Sequence, residues 1–168
     1  MDTEKASFSQ GQSQHLSVID LIVWGERYSV GHPEIDEQHK NIFNLGISVY
    51  ENWLKGGKAD ELRLLVEKLE TLLKKHFFYE ERLLTKISYE GLNEHIVEHR
   101  SMLKNLDAVK EQINERVSLI EEGGKSSGGS MLAADWPVLQ FILGFTVGHV
   151  ATSDMRYRGA ITDSNSPD

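Results

Sequence analysis

The stretch ADELRLLVEKLETLLKKHFFYEERLLTKI (59–87) carries Leu62, Leu65, Leu69, Leu72, His76, Glu80, Leu83 and Ile87 at successive steps of three or four residues. Such steps keep side chains on one face of an α-helix. They predict a helix over about 59–86 whose core-facing stripe contains a histidine and a carboxylate. The same rhythm recurs on both sides. From about Asp36 to Lys55 it passes through Ile35, His39, Ile42, Gly46, Val49 and Trp53, and Gly56-Gly57 then breaks it. A third helix, starting near Tyr89 to Leu92, runs through His95, His99, Met102, Leu106, Val109 and Ile113 toward Ile120. A fourth, from about Asp135 to Arg158, turns Leu139, Ile142, Thr146, His149, Val150 and Tyr157 inward. Asp135 serves as its expected N-cap, and Pro137 falls in its first turn.

Helices of about 20–30 residues are roughly 30–45 Å long. Four of them with three connections predict an all-α fold, an antiparallel up-down-up-down four-helix bundle. LIVWGERYSVGHPEID (21–36) reads as an irregular N-terminal arm whose Trp24 and Tyr28 need a surface to cover. The expected organisation is a flexible polar tail over 1–20, the bundle over 21–160 and a second flexible tail over 161–168. EEGGKSSGGS (121–130), the only low-complexity segment, is expected to be a loop insertion.

Composition narrows the function. The 168 residues hold 18 Lys+Arg against 26 Asp+Glu, a net charge of −8, and 39% of them are hydrophobic. That balance argues against nucleic acid and anionic membranes as partners. No apolar run is long enough to span a bilayer. The polar start MDTEKASFSQGQSQ has no apolar signal core, so a cytoplasmic location is expected. The absence of Cys excludes disulfides, thiolate zinc sites, iron–sulfur clusters and a Cys nucleophile.

Histidine is the unusual component. Five of the seven, His39, His76, His95, His99 and His149, fall on the apolar stripes of four different helices, whereas His15 and His32 fall outside them. Five imidazoles in one core are costly unless their nitrogens are satisfied. Each could be a hydrogen-bonded core histidine, but a shared metal satisfies all five together. His76 and Glu80, and likewise His95 and His99, stand at i and i+4, one turn apart on one face. Glu81 is a close rival to Glu80, and the stripe favours Glu80 as the inward residue. Asp154 follows His149 by five residues, about 140° round an ideal helix, so periodicity alone does not select it. Five histidines and two carboxylates exceed what one tetrahedral zinc needs and suit two carboxylate-bridged metals. Nitrogen-rich ligation fits iron that moves between ferrous and ferric. The E-x-x-H pairs of ferritin-like bundles are missing.

The order His39, His76-x-x-x-Glu80, His95-x-x-x-His99, His149-x-x-x-x-Asp154 resembles the hemerythrin family, most closely its bacterial single-domain members. Trp24, Tyr28-Ser-Val-Gly31, Ile35-Asp36-x-Gln38-His39 and His76-Phe77-x-x-Glu80-Glu81 are similar to the family's arm and ligand motifs. The resemblance implies a non-heme diiron site. One iron would take His95, His99 and His149. The other would take His39 and His76 and keep an open position. Glu80 and Asp154 would bridge them together with an oxo or hydroxo group. It also implies reversible dioxygen binding without enzymatic turnover, for oxygen storage, delivery or sensing. Ile42, Phe77, Thr146 and Val150 would line the dioxygen pocket, and a protein partner could receive the oxygen or the signal.

Two features depart from the family pattern. Phe145 and Thr146 stand where a Trp-Leu pair is usual. The Thr146 hydroxyl would either bond its own helix carbonyl or make the pocket more polar. The 121–130 segment is longer than usual for that connection. Trp24, Trp53 and Trp136 read as packing residues, and Glu98 as a solvated outward residue. Two competing functions follow from the same residues. One is a diiron enzyme handling peroxide or nitric oxide. The other is a zinc peptidase using His95-Ile-Val-Glu-His99, which fits H-x-x-E-H with Glu98 as general base.

Overall fold

The computed structural model describes residues 21–54, 58–121 and 136–164. The chain is an all-α bundle. Its elements are α1 (Pro33–Leu54), α2 (Ala59–Lys86), α3 (Leu92–Glu121), α4 (Trp136–Leu143) and a short α5 (Arg158–Ser164). No strand occurs among the described residues. Helix α1 packs on α2, α2 on α3, α3 on α4, and α4 back on α1, which closes the ring around the interior. No helix among the described residues is long and apolar enough to cross a membrane.

Local chemistry sets where the helices begin and end. Gly31 adopts φ 82°, a conformation that glycine takes without steric cost. Pro33 then opens α1 at the position where its missing N–H costs nothing. The Asp36 carboxylate reaches back to the arm and accepts from the Val30 N–H at 2.8 Å and the Ser29 hydroxyl at 2.7 Å. Helix α2 ends in a Schellman pattern, with Tyr89 N–H on the Leu84 carbonyl and Ser88 N–H on that of Thr85. Ser88 stands at φ 54°. Only five residues, 87–91, separate α2 from α3, so the two are neighbours. A Cβ at Gly46 would lie 3.1 Å from Ile142 Cγ2, which shows how closely α1 and α4 approach.

Two apolar clusters fill the interior. The larger includes Phe43, Val49, Leu73, Leu106 and Ile142. The smaller joins Val30, Ile35, Leu84, Tyr157 and Ile161. Between them along each helix stand the stripe histidines: His39 between Ile35 and Ile42, His76 between Leu73 and Leu84.

The fourth helical stretch is not the single α-helix expected over about 135–158. Helix α4 widens into a π-helical segment over Gly144–Val150, and a 3₁₀ turn follows over Asp154–Arg156. Residues 161–164 of the expected C-terminal tail lie in a helix. Helix α5 runs to Ser164, and Ile161 is fully buried. Ile161 lies one turn beyond Tyr157 and extends its apolar face. The expected 1–20 tail with His15, the Gly56-Gly57 break, residues 122–130 of the loop insertion, the Asp135 cap, residues 165–168 and the side chains of Trp53, Ile120 and Trp136 lie outside the described residues.

Candidate metal centre

The helices deliver the predicted residues to one place from alternating ends. His39 lies near the start of α1, and His76 and Glu80 near the end of α2. His95 and His99 lie near the start of α3, and His149 in the π-helical segment after α4. The packing of α1 on α2, α2 on α3 and α4 on α1 brings those ends together. Asp154 joins them because the backbone departs from α geometry. Before it the turn is wide, with Ala151 N–H on the Thr146 carbonyl. A tight turn follows, still ahead of Asp154, with Thr152 N–H on the carbonyl of His149. All seven side chains are buried, none more than 4% exposed.

Their ligand atoms form two groups, each within 4.8 Å: Glu80, His95, His99 and His149 in one, and His39, His76, Glu80 and Asp154 in the other. Glu80 belongs to both. Its Oε2 lies 3.0 Å from Nε2 of His95 and of His99, and 3.7 Å from that of His76. Asp154 also spans the groups. Its Oδ2 is 3.2 Å from His39 Nε2 and its Oδ1 3.1 Å from His149 Nε2. All five imidazoles therefore point Nε2 inward. The Nε2 atoms of His39 and His76 are 3.1 Å apart, as are those of His99 and His149.

The outer nitrogens decide what this arrangement suits. His99 Nδ1 donates to Glu81 at 2.9 Å, His149 Nδ1 to Glu98 at 3.1 Å, and His76 Nδ1 to Gln38 Oε1 at 3.2 Å. An ionised carboxylate only accepts, so these bonds put the ring proton on Nδ1 and a lone pair on Nε2. Burial pushes the His76 imidazole down to about 3, and burial also lowers His149. On His76, His99 and His149 inward lone pairs thus face neighbouring ring nitrogens and carboxylate oxygens. Neither oxygen of Asp154 has a hydrogen-bond partner. Acceptors converging on acceptors fit a cation at the centre, and the imidazole–carboxylate donor set suits a transition metal.

Aromatic rings enclose the cluster. Phe77 stacks on His99 with ring centroids 3.9 Å apart and planes 13° apart. Trp24, read as packing, lies 5.9 Å from His39 while covering Tyr28 and Phe43. Phe145 faces His76 and His149 at 6.2 Å and His39 at 6.3 Å. Of the pocket residues expected from sequence, Ile42, Phe77, Thr146 and Val150 are all buried. The Thr146 hydroxyl donates to the Ile142 carbonyl at 3.0 Å, so its proton is used within its own helix turn.

Sequence reasoning missed the outer shell. Glu98, expected to be merely solvated, holds His149. Glu81, taken only as a rival of Glu80, holds His99. Tyr157, read as an inward position, donates its hydroxyl to Glu80 Oε1. A signal was available: a carboxylate beside a ligand histidine on the flank of its stripe is placed to accept from an Nδ1 proton. His39 Nδ1 is buried without a partner.

The sequence model of the hemerythrin HHE cation binding domain matches residues 30–159, a span that contains all seven cluster residues. The chain belongs to the hemerythrin family. Among its hemerythrin relatives is the bacteriohemerythrin of Clostridium acetobutylicum, 25% identical over 142 residues that cover 82% of this chain and 98% of the relative. The myohemerythrin of Theromyzon tessulatum is 25% identical over 138 residues, 82% of this chain and 92% of its own length. A hemerythrin-like protein of Naegleria gruberi reaches 27% over 138 residues, 82% and 92% of the two chains.

Proposed function

We propose that this hemerythrin binds dioxygen reversibly at a pair of iron ions and serves oxygen storage, delivery or sensing. The observation that carries the reading is the unequal division of five inward imidazoles between two groups that share Glu80. His95, His99 and His149 would hold one iron, and His39 and His76 the other, with Glu80 and Asp154 bridging. When bound, the iron pair supplies the two electrons that reversible dioxygen binding requires. The group with one imidazole fewer is the side where a ligand would be received.

The chain's own residues favour binding over turnover. His76, His99 and His149 have Nε2 facing inward and Nδ1 bonded outward to Gln38, Glu81 and Glu98, so these three rings have no spare nitrogen to act as a general acid or base. Burial, with Asp154 and Glu80 nearby, raises the Tyr157 phenol well above its ordinary value, so it keeps its proton and stays a donor to Glu80. Phe77, Phe145 and Trp24 keep bulk water from the cluster. The peptidase reading has less support. Glu98 sits against Nδ1 of His149, on the outer side of that ring, and not beside the converging Nε2 atoms where a general base would act.

The visible spectrum of the reduced protein, recorded without oxygen, then in air, then after oxygen removal, tests the proposal. Reversible dioxygen binding gives a band that appears in air and bleaches over repeated cycles. A single irreversible change, or turnover of peroxide or nitric oxide faster than binding, would move the assignment to a diiron enzyme.

A further inference from the structure

The outward face of α2 differs in character from the rest of this acidic chain. Leu64, Lys68, Lys75, Phe78, Arg82 and Lys86 follow one another in steps of three, four and seven residues, and all are exposed. They therefore line one side of the helix for about 33 Å at 1.5 Å per residue. Leu64 is 51% and Phe78 63% exposed, the latter being the most exposed large hydrophobic among the described residues. The Arg82 guanidinium lies 5.6 Å from the Phe78 ring centre. Phe78, Tyr79, Arg82, Leu83 and Lys86 border a surface groove of about 540 Å³.

Among the described residues, Lys68, Lys75, Arg82 and Lys86 are in no ion pair, whereas neighbouring cations are: Lys74 and Lys110 both engage Glu70, and Arg63 pairs with Asp60. Between Leu64 and Lys86 the carboxylate on this face is Glu67; Asp60, one turn before Leu64, is paired with Arg63, and Glu34 of α1 stands near Tyr79 at the groove. Glu81, at its edge, is engaged by His99. A chain of net charge −8 thus gathers unneutralised cations around two apolar side chains on a single helix face.

We infer that this face of α2 is a docking surface for an acidic partner protein, with Phe78 as its apolar anchor and Lys68, Lys75, Arg82 and Lys86 as its charge-matching rim. Aromatic anchors within a ring of charged residues dominate the energetics of such contacts, and the rim charges steer association. Glu81 connects this face to His99, so a partner seated here stands one hydrogen bond from the candidate metal centre. The inference rests on the surface alone and holds whether or not the centre binds dioxygen.

The probe is a synthetic helical peptide with Leu and Glu along one face at the spacing of the α2 stripe, titrated into the isotope-labelled full chain. Shift changes should map to 64–86. Affinity should fall at least tenfold between 50 and 500 mM salt, because exposed charges are screened at that ionic strength. Lys75→Glu with Arg82→Glu, and separately Phe78→Ser, should each weaken binding at least tenfold while leaving the helical circular dichroism unchanged. Absence of binding at low salt, shifts centred elsewhere, equal binding of a scrambled peptide, or preferential binding to anionic vesicles or RNA would each overturn the inference.

Discussion

Tyr157 donates its hydroxyl to Oε1 of Glu80, while Oε2 of the same carboxylate faces the Nε2 atoms of His95 and His99 at 3.0 Å each. The two oxygens are thereby given different tasks, and the residue shared by both histidine groups is held by a donor from outside the cluster. Tyr157→Phe leaves a buried carboxylate oxygen without its partner. A hydrogen bond to a charged group contributes about 1.5–3 kcal/mol, so the variant should be less stable by that order in urea unfolding. Unchanged stability would remove Tyr157 from the account.

The outer carboxylates give a second prediction. Partners of ligand histidines usually contribute about 10- to 100-fold in metal affinity. Glu81→Ala and Glu98→Ala should each weaken retention of metal by His99 or His149 to that extent in a chelator competition. His39 has no Nδ1 partner, so the His39–His76 side should lose its metal first in the unmodified chain, and His39→Ala or His76→Ala should empty that side selectively. Simultaneous loss from both sides would contradict the unequal division of ligands.

Phe145 separates the histidines from a surface groove of about 390 Å³ that Met102, Val109, Phe141 and Gly144 help to line. Phe145→Ala should cost about 3–5 kcal/mol of stability and should speed the reaction of the centre with added azide, measured by stopped flow. Thr146→Val should change azide binding and autoxidation little, because the hydroxyl it removes is bonded to Ile142. If Thr146→Val alters the site more than Phe145→Ala does, the polar-pocket role of Thr146 is the correct one.

The buried histidines set a pH dependence for the metal-free chain. Burial holds His76 at about 3 in the folded state against 6.5 ordinarily. Between those values the unfolded chain binds more protons, so stability rises with pH there. His149 is lowered in the same direction. His95 is lowered by burial but raised by a larger total from its bond with Glu80 and the nearby carboxylates, and it offsets part of the effect. Metal-free protein should lose stability as pH falls from about 6.5 toward 3. His76→Leu should flatten that slope in urea titrations at several pH values.

What could be read from the sequence follows from helical periodicity. His76 with Glu80 and His95 with His99 were legible because i and i+4 share a face in any α-helix, and the stripe correctly favoured Glu80 over Glu81. Asp154 was not selected by periodicity, since its approach depends on the π-helical widening before His149 and the tight turn after it. The bonds of Gln38 to His76 and of Glu98 to His149 are not legible in the sequence, because an outer partner sits partly exposed at the flank of the stripe, where apolar periodicity carries no signal. Ile161 carries no stripe signal because the long helical periodicity ends before it, although it continues the face of Tyr157 by one turn.

Iron content per chain of the reduced, reconstituted protein decides whether five imidazoles, Glu80 and Asp154 hold a metal pair. Two irons per chain are expected, falling to about one in His39→Ala or His76→Ala. A single metal ion per chain, or one zinc that those substitutions leave in place, would contradict that expectation.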